Sequence, residues 1–260
     1  MLFCFPFSTG QKTDWSTRGH GTCMADEAAG YEHGVAKNAD ITSVQIYEEH
    51  PLAVDAIFLR ILNGFDQIIN DILSKGISGK AVVLMSWGFN SPFESPDEIR
   101  QRRELFGRLA YLDQLGVALV AAAPNGDLNG NHVPGSFADP NGNMFLPNLR
   151  FVQGGDINDG SYAYDKRDNF VTNYGPGFDS KPDPDSPTNV VGLNCVGQTG
   201  DIRSPAREGN SMAGVFVAGL MAYFMGLGKT AVEARIMAND YAYSRNANGP
   251  KMIWNGRTSS

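Results

Sequence analysis

Apolar runs rich in β-branched residues alternate with longer amphipathic stretches, and this alternation limits the fold more than any other feature. Ile41–Tyr47, Lys80–Trp87, Gly116–Ala123 and Leu149–Gly154 read as strands. Between the first two lies Leu52–Ser74. Its residues Ile57, Phe58, Ile61, Leu62, Phe65, Ile68, Ile69, Ile72 and Leu73 keep i, i+3, i+4 spacing, which predicts a long amphipathic helix. Ser95-Pro96 opens a second helix to about Leu115, with Asp97 and Glu98 in the first turn, where the helix dipole favours acids. Ser211–Leu227 is apolar and rich in Ala and Met and reads as a buried helix; Lys229–Tyr243 reads as another. Near-continuous apolar strands between helices predict an α/β fold, a mainly parallel sheet with helices on both faces. In such sheets functional groups gather at the carboxyl ends of the strands.

Two segments read as loops. Asn125–Asn143 is rich in Gly, Asn and Pro, and Asp179–Thr188 holds three prolines, which excludes regular helix or central strand. The apolar N-terminus Met1–Phe7 lacks a basic n-region and contains Pro6. It does not read as a signal peptide; the tail end of a core strand is a bland alternative. A length of 260 residues is ample for a buried core, and we expect a single domain over 1–260. A net charge of −7 argues against general nucleic-acid binding. No stretch approaches the roughly 18 apolar residues of a membrane span. Cys4, Cys23 and Cys195 allow one disulfide at most and leave the redox compartment and location open.

Gly19-His20-Gly21-Thr22 and Gly209-Asn210-Ser211-Met212-Ala213 supply a candidate base and a candidate nucleophile, in that chain order. A serine hydroxyl attacks only when a base takes its proton, and an acid usually orients that base. None of His20, His33, His50 and His132 follows Ser211, which excludes the α/β-hydrolase order of Ser, acid, His. The chymotrypsin order belongs to an all-β fold. The order acid, His, Ser on an α/β fold remains.

Here the residues resemble a known family. Gly19–Thr22 matches the His-Gly-Thr motif of subtilisin-like serine proteases (peptidase family S8). Gly34–Ala39, Val82–Gly88, Val120–Gly126 and Gly209–Ala213 followed by Val217-Ala218-Gly219 resemble further blocks of that family. They come in family order and span His20 to Tyr223; the Gly-Val-Ala-Lys block and the Tyr-Ser-Arg ending resemble fungal members. The resemblance implies a subtilisin-like three-layer fold and hydrolysis of peptide bonds through an acyl-enzyme. It casts His20 as general acid/base and Ser211 as nucleophile. Asn125 and the Ser211 N–H become the oxyanion donors. Ser86, Trp87 and Gly88 become an edge that pairs with an extended polypeptide substrate. No cofactor and no metal is assigned; the family often binds calcium, but no carboxylate cluster here forces a calcium site.

The chain departs from the pattern in places. The family's acid sits in an Asp-(Thr/Ser)-Gly motif on an interior strand upstream of the His. No such motif precedes His20: Ser8-Thr9-Gly10 has no Asp, and Asp14 reads as a solvated loop residue. We therefore expect a domain without its acid-bearing strand, through an incomplete N-terminus, with neighbouring strands left unpaired. Pro124 replaces a Gly before Asn125 and could tilt it out of line. Asn210 replaces a Thr, a tolerable polar swap, and Gly214-Val215-Phe216 replaces Ala-Pro-His.

Other residues read blandly. Trp87 is packing with a secondary binding role, and Cys23 a small buried hydrophobe whose thiol could react with mercurials. Met212, Met221 and Met225 are core, Arg100–Arg103 a solvated helix face, and His33, His50 and His132 receive no role. Three functions compete: an impaired serine endopeptidase, a non-catalytic homologue that binds peptides, and a decayed product without a stable fold.

Overall fold

The computed structural model describes residues 2–4, 20–31, 34–44, 46, 54–90, 95–125, 132–156, 170–178 and 209–254. The helices are α1 (His20–Ala29), α2 (Val54–Lys75), α3 (Pro96–Gln114), α4 (Asn210–Gly226) and α5 (Ala231–Asp240). The strands are β1 (Leu2–Cys4), β2 (Ile41–Ser43), β3 (Val82–Met85), β4 (Phe89–Asn90), β5 (Ala118–Ala122), β6 (His132–Val133), β7 (Leu149–Asp156), β8 (Asn173–Phe178), β9 (Tyr243–Ser244) and β10 (Lys251–Met252).

Eight strands form one sheet in the order β2-β1-β3-β5-β7-β8-β10-β9, and β4 pairs with β6 in a separate ribbon. Every neighbour in the large sheet is parallel except β9, which runs antiparallel to β10. Successive residues of a strand face opposite sides, so both faces of the central strands are apolar. Val83 and Met85 join Phe58, Phe65, Ile68 and Leu109 in a core shared with α2 and α3. Val82 and Leu84 join Met24, Val217 and Phe224 in a second core shared with α1 and α4. This is the expected three-layer α/β architecture.

Local rules account for the helices. At α3 the Ser95 hydroxyl accepts from the Glu98 N–H, and the Glu98 carboxylate accepts from the Ser95 N–H, a reciprocal cap. Thr230 and Glu233 repeat the device at α5. Arg108 reaches from α3 to hold both oxygens of Asp66 on α2 at 2.8 and 2.9 Å.

Several expectations are corrected. The sheet has no gap before His20: Leu2, Phe3 and Cys4 pair with Ile41, Thr42 and Ser43 on one side and with Val82, Val83 and Leu84 on the other. The neighbours expected to be unpaired are satisfied at these positions, by a strand that carries no acid. Within the loop expected at Asn125–Asn143, β6 and a short 3-10 helix (Gly135–Ala138) form. Arg102 does not lie on a solvated face: it donates to the Ser136 hydroxyl at 3.2 Å and stands 5.6 Å over the Phe137 ring. Cys23 is disulfide-bonded and almost fully buried rather than a reactive thiol. Asp14, His33, His50 and Asp179–Thr188 lie outside the described residues.

Candidate active site

The carboxyl ends of β3, β5 and β7 meet the amino end of α4. Ser86 follows β3, and Asn125 follows β5 after Ala123 and Pro124. The near-continuous apolar sequence of β3 and β5 ends at these polar residues, so the strands set their positions. Ser211 is the second residue of α4, and its backbone N–H lies among the first donors of a helix, which lack intrahelical acceptors.

Gly209 starts α4 at φ +130°, a conformation that favours glycine, and supplies no side-chain cap. A Cβ there would lie 2.7 Å from Asn125 Nδ2, so the carboxamide needs this position bare. Asn125 supplies the missing cap from another part of the chain: its Oδ1 accepts from the Asn210 N–H at 2.8 Å. A backbone donor at that distance demands an oxygen, which fixes the amide orientation. Asn125 itself is exposed.

Ser211 and Ser86 face each other through two long contacts. The Ser211 hydroxyl donates to the Ser86 carbonyl at 3.4 Å, and the Ser86 hydroxyl donates to the Ser211 carbonyl at 3.3 Å. The single hydroxyl hydrogen of Ser211 is thereby given to a strand-end carbonyl.

His20 opens α1, which packs alongside α4 in the same core. One turn beyond His20, Cys23 Sγ lies 3.9 Å from Met212 Sδ, the residue after Ser211. The first turns of the two helices are therefore neighbours, and both present their positive dipole ends to one region. The structure thus joins Ser86, Asn125 and Ser211 by direct or one-residue links and brings the turn that carries His20 beside them.

Trp87 is half-buried, its ring 6.5 Å from that of Phe65, as expected of a packing residue. Gly88 abuts His132: a Cβ on Gly88 would overlap the His132 ring. His132 is 97% buried, its Nδ1 has no hydrogen-bond partner, and burial pushes its pKa down to about 4.

Three residues escaped the sequence reading. Asn210 is wholly buried, donating through Nδ2 to the Pro124 carbonyl at 2.7 Å and accepting at Oδ1 from the Gly154 N–H at 2.7 Å. Glu27 is buried on α1, and desolvation, with Asp26 beside it, pushes its pKa up to about 8. Its signal in the sequence was a carboxylate seven residues after His20, amid Cys23, Met24 and Ala28. His132 gave no signal. Among the described residues no group of three or more His, Cys, Asp or Glu gathers as a metal site needs, and no helix is long and apolar enough to cross a membrane.

No family model matches the chain. Alkaline protease 1 of Aspergillus clavatus is 31% identical over 232 residues, covering 85% of this chain and 47% of that protein. The subtilisin-like serine protease Pen ch 13 of Penicillium rubens is 27% identical over 256 residues, covering 96% and 55%. The chain spans about half the length of the curated relatives it matches. Among solved structures, a cold-adapted subtilisin-like serine proteinase superposes with a TM-score of 0.65 at 18% identity, covering 100% of this chain and 88% of that one. The epidermin leader peptide processing serine protease of Staphylococcus aureus superposes with a TM-score of 0.67 at 19% identity, covering 94% and 62%. These two likenesses carry the fold, and the fungal relatives carry the family. The chain belongs to the subtilisin-like serine proteases, of the fungal type.

Proposed function

We propose that this site cleaves peptide bonds in extended polypeptides through an acyl-enzyme on Ser211, at a reduced rate because the three residues of the strand beside β3 include no acid. His20 takes the Ser211 proton as the hydroxyl attacks the scissile carbonyl, then returns it to the leaving amine. The Asn125 Nδ2 and the Ser211 N–H receive the developing oxyanion, helped by the α4 dipole. Ser86, Trp87 and Gly88 offer backbone groups to a substrate strand. The observation that carries this reading is the bond from the Asn210 N–H to Asn125 Oδ1, which holds a carboxamide at the amino end of the helix bearing Ser211.

The three residues of β1 include no acid, and losing the acid in subtilisin itself costs roughly four orders of magnitude in turnover. The same observation favours a second reading, a homologue that binds peptides without cutting them. A fluorophosphonate separates the two. Phosphonylation mapped to Ser211 by mass spectrometry, with slow cleavage of a casein substrate that Ser211→Ala abolishes, supports the peptidase. A folded chain that binds peptide yet neither labels nor cleaves is the binding module.

A further inference from the structure

We propose that Asn210 is the positioning residue that aligns the Asn125 carboxamide with Ser211, an inference that rests on the peptidase reading above. Asn210 is fully buried and stands immediately before Ser211, yet its side chain serves neither solvent nor its own helix. Its carboxamide spans two strand ends. Nδ2 donates to the Pro124 carbonyl after β5, and Oδ1 accepts from the Gly154 N–H on β7, both at 2.7 Å. Its backbone N–H holds Asn125 Oδ1 at 2.8 Å. One residue therefore grips the peptide unit that leads into Asn125 and the far end of the Asn125 side chain.

The chemistry requires an amide at this place. Its donor and its acceptor sit on separate atoms and face two strands at once. A hydroxyl has one oxygen and a shorter reach, so it can satisfy one strand end and leaves the other buried group without a partner. Pro124 makes the grip more important. Proline has no N–H, so its carbonyl is its only main-chain hydrogen-bonding group, and Asn210 holds that carbonyl. Pro124 and Asn210 thus act as one device that fixes Asn125 in a line that a proline alone would not guarantee.

The test is nuclear magnetic resonance of the 15N-labelled chain, with the Asn125 side-chain amide assigned through Asn125→Asp. In the wild type the Asn125 amide protons are displaced from free-carboxamide positions, and the Gly154 N–H is protected from exchange. A free-like Asn125 signal or an unprotected Gly154 in the folded wild type overturns the proposal without any variant. In Asn210→Ala and Asn210→Thr, the Asn125 signal moves to the free position while the rest of the spectrum persists. An unmoved signal in either folded variant overturns the proposal. A parallel measurement uses diisopropyl fluorophosphate: its limiting rate on Ser211 falls at least tenfold in both variants, with little change in the half-saturating concentration. A wild type that never labels removes the peptidase reading, and the resonance data then judge Asn210 alone.

Discussion

The hydroxyl of Ser211 and the carbonyl of Ser86 are partners at 3.4 Å, and the return bond from the Ser86 hydroxyl to the Ser211 carbonyl is 3.3 Å. The Ser86 carbonyl, which the proposed function offers to an extended peptide, is thus already taken by the Ser211 hydroxyl. On that proposal a bound peptide N–H displaces the hydroxyl. Ser211→Ala removes the competing donor. We expect that variant to bind an uncleavable extended peptide about three- to tenfold more tightly than the wild type, the equivalent of one hydrogen bond. Fluorescence anisotropy with a labelled peptide measures it; equal or weaker binding contradicts the competition.

Asn125→Asp separates capping from oxyanion stabilisation. The carboxylate keeps an acceptor for the Asn210 N–H, and a negative charge suits a helix amino end. It has no donor for an oxyanion. The melting temperature should hold within a few degrees, while fluorophosphonate labelling of Ser211 slows by about 100-fold or more. A loss of stability with unchanged labelling would reverse the assignment.

Gly88→Ala should destabilise the chain by about 1–3 kcal/mol through overpacking, because the added methyl meets the buried His132 ring. His132→Ala in the same background should recover part of that loss, because the Val133 carbonyl, 2.9 Å from the added methyl, stays in place. Calorimetric melts of the single and double variants decide it, and simple additivity would refute the contact.

Stability should fall on both sides of a mildly acidic optimum. His132 has a folded pKa of about 4 against an ordinary 6.5. The unfolded chain takes up this proton first, so stability is lost as pH falls from 6.5 toward 4. Glu27 has a folded pKa of about 8 against 4.5. The folded chain keeps this proton longer, so its contribution is complete below 4.5 and is lost as pH rises toward 8. Glu27→Gln should abolish the alkaline decline and leave the acid limb intact. Denaturant midpoints measured across this pH range test both limbs, and an alkaline decline that persists in Glu27→Gln assigns it to another group.

Much of the fold is legible because it rests on period and capping chemistry. The apolar spacing of 52–74 and the Ser95–Glu98 pair place α2 and α3 nearly to the residue. The cores of β3, β5 and β7 fall within the runs expected to be strands. β8 is harder to read: Asn-Tyr-Gly-Pro-Gly-Phe has no β-branched residue and holds two glycines and a proline. It is a strand because β7 pairs with it and because its glycines admit α4 closely; a Cβ on Gly175 would lie 2.7 Å from the Ala213 carbonyl. The motifs name Ser86, Asn125 and Ser211, which meet. Asn210 looks like a neutral exchange of one polar residue for another, because its partners Gly154 and Pro124 lie 56 and 86 positions away. Long-range satisfaction of a buried amide leaves no local trace.

β1 has a consequence for the order of assembly. It is made before both of its neighbours, yet its place between β2 and β3 exists only after Val82 has been made, which closes a loop of about 80 residues. Ser211 arrives much later still, on the helix that packs on β3, β5, β7 and β8 before β9 and β10 have been made. A nascent chain therefore presents Ser211 to Ser86 and Asn125 only after the residues of β3, β5 and β7 have all been made.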